Sequence, residues 1–254
     1  MILEEIMQAV RECGQILLGA EPEKAVQVKD GQYNNLVTLY DKKVQNELQK
    51  QLLNIVPGAH FVGEEEDVHE SIAQGTAFIV DPIDGTTNFI RGLGMNVISV
   101  AMTQDGAVEM GIVYNPYTDE MFYARRGKGA FRNGKCIHVS ERPLHQGLTL
   151  FGSALYYEGL SDRTFRILRL CFDHSMDIRR FGSAAYDLCL IATGRAELFF
   201  ELRLQPWDYA AGMLIVQEAG GTVTTMEGGE ISPSSPSSVL AYGSNVDVSF
   251  LSGE

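Results

Sequence analysis

Residues 78–89 of the chain read Phe-Ile-Val-Asp-Pro-Ile-Asp-Gly-Thr-Thr-Asn-Phe, a short apolar run followed by two carboxylates, a glycine, two hydroxyls and an asparagine. The apolar run predicts a buried strand, which Pro82 is expected to end because proline supplies no N–H group to a β-ladder. Asp84-Gly85 is a favoured turn pair, and Thr86 or Thr87 suits the first residue of a helix. The stretch therefore predicts a strand, a turn and a helix start.

This combination of groups suits two kinds of ligand. Mg²⁺ prefers carboxylate and carbonyl oxygens, which Asp81 and Asp84 would supply. Phosphate oxygens accept hydrogen bonds from exposed N–H groups at the start of a helix. Taken alone, the motif favours a plainer interpretation, a strand followed by a capped turn with solvated aspartates. The hypothesis of a metal-assisted phosphate site therefore depends on the rest of the chain.

Composition and charge narrow the class of partner. With 45% hydrophobic and 21% charged residues over 254 positions, the chain has the composition of an ordinary globular protein. Its net charge of −13 argues against nucleic acid or an anionic membrane as a partner. An acidic surface also repels a phosphate ester, unless bound divalent cations invert the local field. The charge thus favours a metal-dependent phosphatase over a metal-free one.

The cysteines and the N-terminus bear on localisation. Cys13, Cys136, Cys171 and Cys189 are scattered and form no Cys-x-x-Cys pair, which is typical of reduced thiols in a cytosolic protein. The N-terminus lacks a basic region followed by an apolar core, and no run approaches the roughly 18 apolar residues of a membrane span. These features predict a cytoplasmic protein.

Periodicity in the first half predicts two helices and a series of strands. Helical spacing of apolar residues covers 2–19 and again the range from about Lys42 to Ile55, while residues 29–35 are polar and predict a mobile loop. A short strand at 60–63 precedes the central one. An antiparallel meander follows, with strands predicted at 97–102, 107–114 and 120–124 and a hairpin turn at Asn133-Gly134.

In the second half, predicted strands alternate with predicted helices. Strands are predicted at 148–152, 177–181, 196–201, 222–225 and 239–242. Helices are predicted at 161–171, 184–193 and 209–219. This alternation indicates layered α/β structure. We expect one domain over 1–254, with an N-terminal α+β half of about 1–142 and a C-terminal α/β half of about 143–254 that meet near Pro143.

Four further acidic residues lie at positions where a catalytic or metal-binding role is plausible. Glu64 directly follows its predicted strand, as Asp81 follows the next one, and two strand ends in one sheet can bring their carboxylates together. Asp41 and Asp208 lie at predicted helix starts, where capping and the helix dipole are the plainer interpretations. Glu201 ends a predicted strand and by itself predicts little.

Three motifs occur in order: Glu64-Glu65, the Asp-Pro-Ile-Asp-Gly-Thr-Thr-Asn-Phe stretch of 81–89, and Trp-Asp-Tyr-Ala-Ala-Gly at 207–212. Each is weak to moderate alone, but the ordered set resembles the inositol monophosphatase family over essentially the whole chain. The resemblance implies a mixed α/β (α+β) fold, the layered αβαβα sandwich of the inositol monophosphatase and sugar phosphatase type. It also implies a Mg²⁺-dependent phosphatase that Li⁺ inhibits and that forms a homodimer.

The resemblance assigns two or three Mg²⁺ ions to each active site. Glu64, Asp81 and the carbonyl of Ile83 would hold the first, with the Thr86 hydroxyl nearby. The second would be held by Asp81, Asp84 and Asp208. Glu64 would help to hold a weaker third ion through waters.

The remaining roles implied by the resemblance concern water and substrate. Asp41 and Thr86 would orient the attacking water, and the amides of Gly85 and Thr86 would receive the phosphate. Substrate hydroxyls would be contacted by Glu201 and by the backbone of Gly182, Ser183 and Ala184. The implied substrate is myo-inositol monophosphate or a similar polyol or sugar phosphate, a small-molecule phosphate ester.

Two departures from the family pattern concern specificity. Gln205-Pro206 stands where many relatives have a His-Cys pair, and Lys29 is the nearest candidate for the family's loop lysine. The alternative substrates are fructose 1,6-bisphosphate, a 3′-phosphoadenosine nucleotide and NADP. A second phosphate would need cations, for which the candidates are Arg179, Arg180, Arg195 and Arg203. A non-catalytic protein that binds metal or phosphate is the hypothesis from another class.

Overall fold

The structure is a computed structural model that describes residues 2–21, 26–28, 36–66, 70–155 and 157–253. Lys29 and the polar stretch 29–35 lie outside the described residues. No helix in the described ranges is long and apolar enough to cross a membrane.

The first half of the chain contains three helices and nine strands within the described residues. In chain order they are α1 Ile2–Leu18, β1 Val26–Val28, β2 Leu36–Thr38, α2 Leu39–Ile55, β3 His60–Gly63, β4 Thr76–Asp84, α3 Thr86–Ile90, β5 Val97–Gln104, β6 Ala107–Asn115, β7 Glu120–Arg125, β8 Ala130–Arg132 and β9 Lys135–Ile137. The predicted meander and the Asn133-Gly134 hairpin are confirmed.

The second half alternates strands and helices as predicted. Its elements are β10 Leu148–Phe151, α4 Ser161–His174, β11 Asp177–Arg179, α5 Ala184–Ala192, β12 Leu198–Leu204, α6 Pro206–Glu218, β13 Thr222–Thr224 and β14 Ser237–Tyr242. Short 3₁₀ turns lie at Leu144–Gln146 and Ser249–Leu251.

The strands form two large sheets and one small one. The seven-stranded sheet has the order β3-β4-β5-β6-β7-β8-β9, and the five-stranded sheet has the order β11-β10-β12-β14-β13. Strands β3 and β4 are parallel, whereas each later neighbour in the larger sheet is antiparallel. Strands β1 and β2 pair with each other.

Side-chain alternation along the strands shows the order of the layers. On β4, Phe78 and Val80 belong to the apolar cluster that includes α1 and α2, whereas Ile79 packs into the cluster built around α5 and α6. On β12, Phe199 joins the α5/α6 cluster and Phe200 faces α4. Because successive side chains of a strand point to opposite faces, the layers run α1/α2, sheet, α5/α6, sheet, α4. The predicted αβαβα fold is confirmed.

Helix α6 lies unusually close to the larger sheet. A Cβ atom placed on Gly111 of β6 would stand 2.6 Å from the backbone oxygen of Ala211, too close for any side chain. The glycine thus lets the helix backbone approach the strand directly.

The predicted end of the central strand is wrong. Strand β4 continues through Pro82 to Asp84, with an irregular register between Asp81 and Asp84. Proline's missing N–H group is tolerated there because a bulge leaves one residue out of the ladder.

Three other boundaries differ from the prediction. Helix α2 begins at Leu39, so Asp41 lies inside its first turn and Thr38 is the N-cap. Helix α6 begins at Pro206, a residue suited to the first turn because its missing N–H group needs no partner there. Glu201 does not end its strand, since β12 continues to Leu204.

Candidate active site

A pocket of about 430 Å³ opens between the two halves, within the roughly 300–1,000 Å³ of small-molecule sites. Its walls contain all but one of the residues singled out in the sequence: Glu64, Asp81, Ile83, Asp84, Gly85, Thr86, Gly182, Ser183, Ala184, Glu201 and Asp208. Asp41 is the exception, and it lies buried behind Thr86.

The parallel pairing of β3 and β4 brings Glu64 to Asp81. Gly63 is the register partner of Val80, so the next residues of the two strands stand side by side. The N–H of Glu64 donates to the carbonyl of Val80 over 3.1 Å, which holds this register past the end of β3. The expected proximity of these two residues is present, although Asp81 lies within β4 and not at its end.

The bulge in β4 explains how Asp84 can join Asp81. Asp81 is opposite Ser99 and Asp84 is opposite Val97, so three steps on one strand match two on the other. Side chains three residues apart on a regular strand point to opposite faces, and one extra residue restores the same face. Both carboxylates therefore face the pocket.

Hydrogen bonds from α5 hold the Asp84 carboxylate. Its Oδ2 accepts from the Ser183 hydroxyl and the Ala185 N–H, both over 2.7 Å, and its Oδ1 accepts from the Ala184 N–H over 3.3 Å. Burial raises the pKa of Asp84 to about 6, although these donors act in the opposite direction. The Ala184 amide, predicted to contact substrate, thus already binds Asp84.

Helix α6 delivers Asp208 from the other half of the chain. The Asp208 carboxylate accepts from the Gln205 N–H over 2.7 Å and so closes the capping box of the helix. The Ser99 hydroxyl donates to the Trp207 carbonyl over 3.1 Å, and Ser99 is the register partner of Asp81. This bond holds the first turn of α6 beside the part of β5 that pairs with Asp81.

The four carboxylates lie close enough for their charges to interact. The pKa of Asp81 is raised well above its ordinary value, first by burial and then by the charges of Glu64, Asp84 and Asp208. The pKa of Asp208 is likewise raised by burial, then by Asp84 and Glu64. Desolvated like charges disfavour one another's ionised forms, so a positive ligand would relieve the repulsion.

The donor chemistry of the pocket fits a hard divalent cation. In the described part of the chain, no group of three His, Cys, Asp or Glu side chains is already arranged to hold a metal ion. The pocket walls nevertheless carry six acidic side chains and one basic side chain, Arg180, among the described residues. Because carboxylate oxygens are the preferred ligands of Mg²⁺ and Ca²⁺, the residues present suit such a cation.

A threonine–aspartate pair flanks these carboxylates. The Thr86 hydroxyl lies 3.4 Å from Oδ1 of Asp41 and 3.1 Å from the carbonyl oxygen of Ile83. The other oxygen of Asp41 accepts from the N–H and the hydroxyl of Thr38, over 2.7 and 2.6 Å. The capping box of α2 therefore aims one carboxylate oxygen at Thr86. A hydroxyl carries one proton and two acceptor lone pairs, so it can connect Asp41 to a water in the pocket.

The turn before α3 depends on a glycine. Gly85 has φ +92°, in the left-handed region, and a Cβ atom there would meet the Met95 carbonyl at 3.0 Å. The Asn88 side chain donates to the carbonyls of Met95 and Phe181 over 2.7 Å each, joining the turn to the loop before α5. These bonds connect the turn to the segment before β5 and to the segment before α5.

A further wall of the pocket comes from β12, α5 and the segment 152–155. Glu201 accepts from the Ala154 N–H over 2.8 Å, and burial raises its pKa to about 7. A Cβ atom on Gly152 would lie 1.8 Å from Glu201 Oε2, so only glycine leaves room for this carboxylate.

Two residues of this wall were not predicted to act as they do. Asp187 was missed, although it is the only charged residue in α5 and an acid in an apolar helix is a detectable signal. Arg180 was named only among cations for a second phosphate, and it alone of those four arginines lines the pocket in the described structure.

The chain is similar in sequence and in structure to several known proteins. A model described as the inositol monophosphatase family matches residues 2–248. The putative Nus factor SuhB of Neisseria meningitidis serogroup B is 37% identical over 228 residues, 89% of this chain and 87% of that protein. The crystal structure of the extragenic suppressor protein suhB from Bartonella henselae has a TM-score of 0.88 and 33% identity, covering 96% of this chain and 94% of that one. The IMPase of Thermotoga maritima has a TM-score of 0.85 and 32% identity, covering 96% and 92%.

Proposed function

The chain belongs to the inositol monophosphatase family, and from this premise we propose that it is a Mg²⁺-dependent phosphomonoesterase for myo-inositol monophosphate or a similar polyol or sugar phosphate. The observation that carries the proposal is the convergence of Glu64, Asp81, Asp84 and Asp208 beside the Thr86–Asp41 pair. A phosphate monoester is an anion, and such a concentration of carboxylates can accept it only with cations present.

The proposed ligands divide between two cations. Glu64, Asp81 and the Ile83 carbonyl would hold one, and Asp81, Asp84 and Asp208 would hold the other, with Glu64 also serving a weaker third ion through waters. Bound there, such ions neutralise the charge of the phosphate and lower the pKa of an attacking water. Lithium inhibition and a homodimeric state are further parts of the proposal that the family resemblance implies. A cytoplasmic location is a part that the scattered cysteines imply.

The chain's own groups would position the nucleophile. Oδ1 of Asp41, whose other oxygen is held by Thr38, would accept a hydrogen bond from the Thr86 hydroxyl, which leaves the lone pairs of that hydroxyl free to accept one from water. As the water attacks, its proton would pass to Oγ1 of Thr86 while the Thr86 proton passes to the Asp41 carboxylate, which becomes neutral. This relay is general-base chemistry. Phosphate would be received by the amides of Gly85 and Thr86 at the start of α3, where the first N–H groups of a helix lack partners within it.

The arginines favour a monophosphate over a bisphosphate. Arg179 pairs with Asp177, Arg195 with Glu120, and the guanidinium of Arg203 lies over the Tyr157 ring. Only Arg180 of this set lines the pocket, and both Asp187 and Glu201 lie close enough to it for their charges to interact. A second phosphate would meet more negative than positive charge at this wall.

A non-catalytic role is the second candidate, because a curated relative is named a putative Nus factor. Such a role would need the scaffold and its surface but not a relay to a water. The Thr86–Asp41 contact supports catalysis.

A panel of phosphate esters tests both the catalytic role and the preference for a monophosphate. With Mg²⁺ present, we expect release of inorganic phosphate, with kcat/KM at least about tenfold higher for myo-inositol 1-phosphate than for fructose 1,6-bisphosphate or NADP, the size of one charge-assisted contact. Phosphate release can be followed colorimetrically. A preference for a bisphosphate would contradict the substrate class, and the absence of release from every ester would favour the non-catalytic role.

A further inference from the structure

Asp187 is a buried carboxyl group with no assigned role. It lies in the first turn of α5, is 1% exposed, and lines the pocket. Its Oδ1 has no hydrogen-bond partner among the residues that the structure describes. Buried polar atoms are almost always paired, and an unpaired one destabilises the fold, so an exception in a pocket calls for an explanation.

The surroundings of Asp187 do not supply a structural explanation. Its backbone N–H donates to the Ser183 carbonyl over 2.9 Å in the ordinary pattern of the helix, so the backbone is satisfied without the side chain. Burial raises its pKa, and the charges of Asp84 and Glu201 add to this, opposed only by Arg180. The side chain thus keeps an unfavourable position that the fold does not require.

The position of Asp187 in the pocket points to the part of the substrate that leaves with the alcohol. The start of α5 holds Asp84 next to the Gly85 turn, whereas Asp187 lies about one helical turn further along α5, where Glu201 and Arg180 are also near it. A polyol or sugar presents several hydroxyl donors to this wall. A carboxyl group keeps a carbonyl oxygen that accepts a hydrogen bond from a hydroxyl group even when it is protonated, so it can distinguish a substrate that carries one from a substrate that lacks it.

We propose that Asp187 determines specificity by accepting a hydrogen bond from a hydroxyl group of the polyol or sugar moiety of the substrate. This inference rests on the proposed phosphatase function. It adds a contact that is separate from those expected of Glu201 and of the 182–184 backbone.

The test compares two substrates in the presence of Mg²⁺, myo-inositol 1-phosphate and phenyl phosphate, an ester without hydroxyl groups on its alcohol. Asp187→Ala should raise KM for inositol phosphate by about tenfold to a hundredfold, the range for leaving a buried hydrogen-bonding group unpaired, and leave KM for phenyl phosphate unchanged. Asp187→Asn retains a carbonyl acceptor and should show a smaller rise. Tyr186→Phe, on the same helical turn but directed toward Glu120, is the matched control and should change neither value.

The thermal unfolding midpoint separates specificity from structure. Removing an unpaired buried carboxyl should leave the midpoint of Asp187→Asn equal to or above that of the wild type, whereas a structural role would lower it. An equal change for both substrates, or none for either, overturns the inference while the phosphatase function stands. If Asp187→Ala does not fold, the same comparison with Asp187→Asn decides. A wild-type protein that hydrolyses neither ester would overturn the proposed function and this inference together.

Discussion

Asp84→Asn should abolish phosphate release, lowering kcat/KM by at least about a thousandfold, because a cation contributes several kcal/mol to the stabilisation of transition-state charge. The amide supplies a neutral oxygen in place of a carboxylate that we assign to the second cation. Initial rates with myo-inositol 1-phosphate and saturating Mg²⁺ measure the effect. Calorimetric titration with Mg²⁺ should show weaker binding by the variant.

The fold should survive this substitution. The Asn oxygen can still accept from Ser183 and Ala185, and only the 3.3 Å contact with the Ala184 N–H is lost. One buried negative charge also disappears from the carboxylate cluster. We expect the free energy of unfolding without Mg²⁺ to change by no more than about 1 kcal/mol, the size of a typical hydrogen bond.

Asp105→Asn is the matched control for Asp84→Asn. Asp105 lies in the turn after β5, at the opposite end of that strand from the Val97 partner of Asp84, and has φ +49°, a conformation that asparagine also adopts. Its activity should equal that of the wild type. Comparable activity in Asp84→Asn would remove Asp84 from the proposed cation site.

Thr86→Ala should lower kcat by about a hundredfold to ten-thousandfold, the range for loss of general acid–base assistance, with a much smaller change in KM. The methyl group cannot connect water to Asp41, although the backbone amides proposed to receive phosphate remain. Thr86→Ser keeps the hydroxyl and should retain most of the activity.

Two further variants distinguish a relay from a local structural effect. Thr87→Ala changes the next residue, which also lines the pocket but is not the residue in contact with Asp41, and should leave kcat near the wild-type value. Asp41→Asn should lower kcat as Thr86→Ala does, and the double variant should be little worse than either, because residues that act as a unit are not additive. Additive losses would contradict the relay.

The sequence was informative wherever function followed local structure. Glu64 directly follows an apolar strand and Asp81 directly follows the apolar run of β4, and parallel pairing of those strands is enough to bring them together. The layer order was predictable from the family resemblance and agrees with the alternation of Phe78, Ile79 and Val80 between two apolar clusters. The first feature depends on local apolar runs, whereas the second depended on the resemblance.

The features that were mispredicted depend on pairing with distant residues. Pro82 can end a strand or occupy a bulge, and the partner strand decides, because Val97 of β5 pairs with Asp84 beyond the proline. Glu201 was placed at a strand end, but pairing with β14 continues past it as far as Leu204. Neither partner is visible in the local sequence.

Asp187 was missed for a related reason. Helix α5 is apolar on nearly all sides because it is buried between two sheets, so its periodicity does not indicate which end reaches the pocket. The single acid in this helix was the available signal. Assigning Asp187 to the pocket requires the topology, which places the start of α5 beside Asp84.

Glu64, Asp81, Asp84 and Asp208 are proposed to form a cation site on which phosphate release depends. The most direct test measures release of phosphate from myo-inositol 1-phosphate with Mg²⁺, with excess EDTA, and after Mg²⁺ is restored in excess over EDTA. We expect phosphate release with Mg²⁺, no release with EDTA and full recovery of release when Mg²⁺ is restored. Equal rates in EDTA and in Mg²⁺ would contradict this expectation.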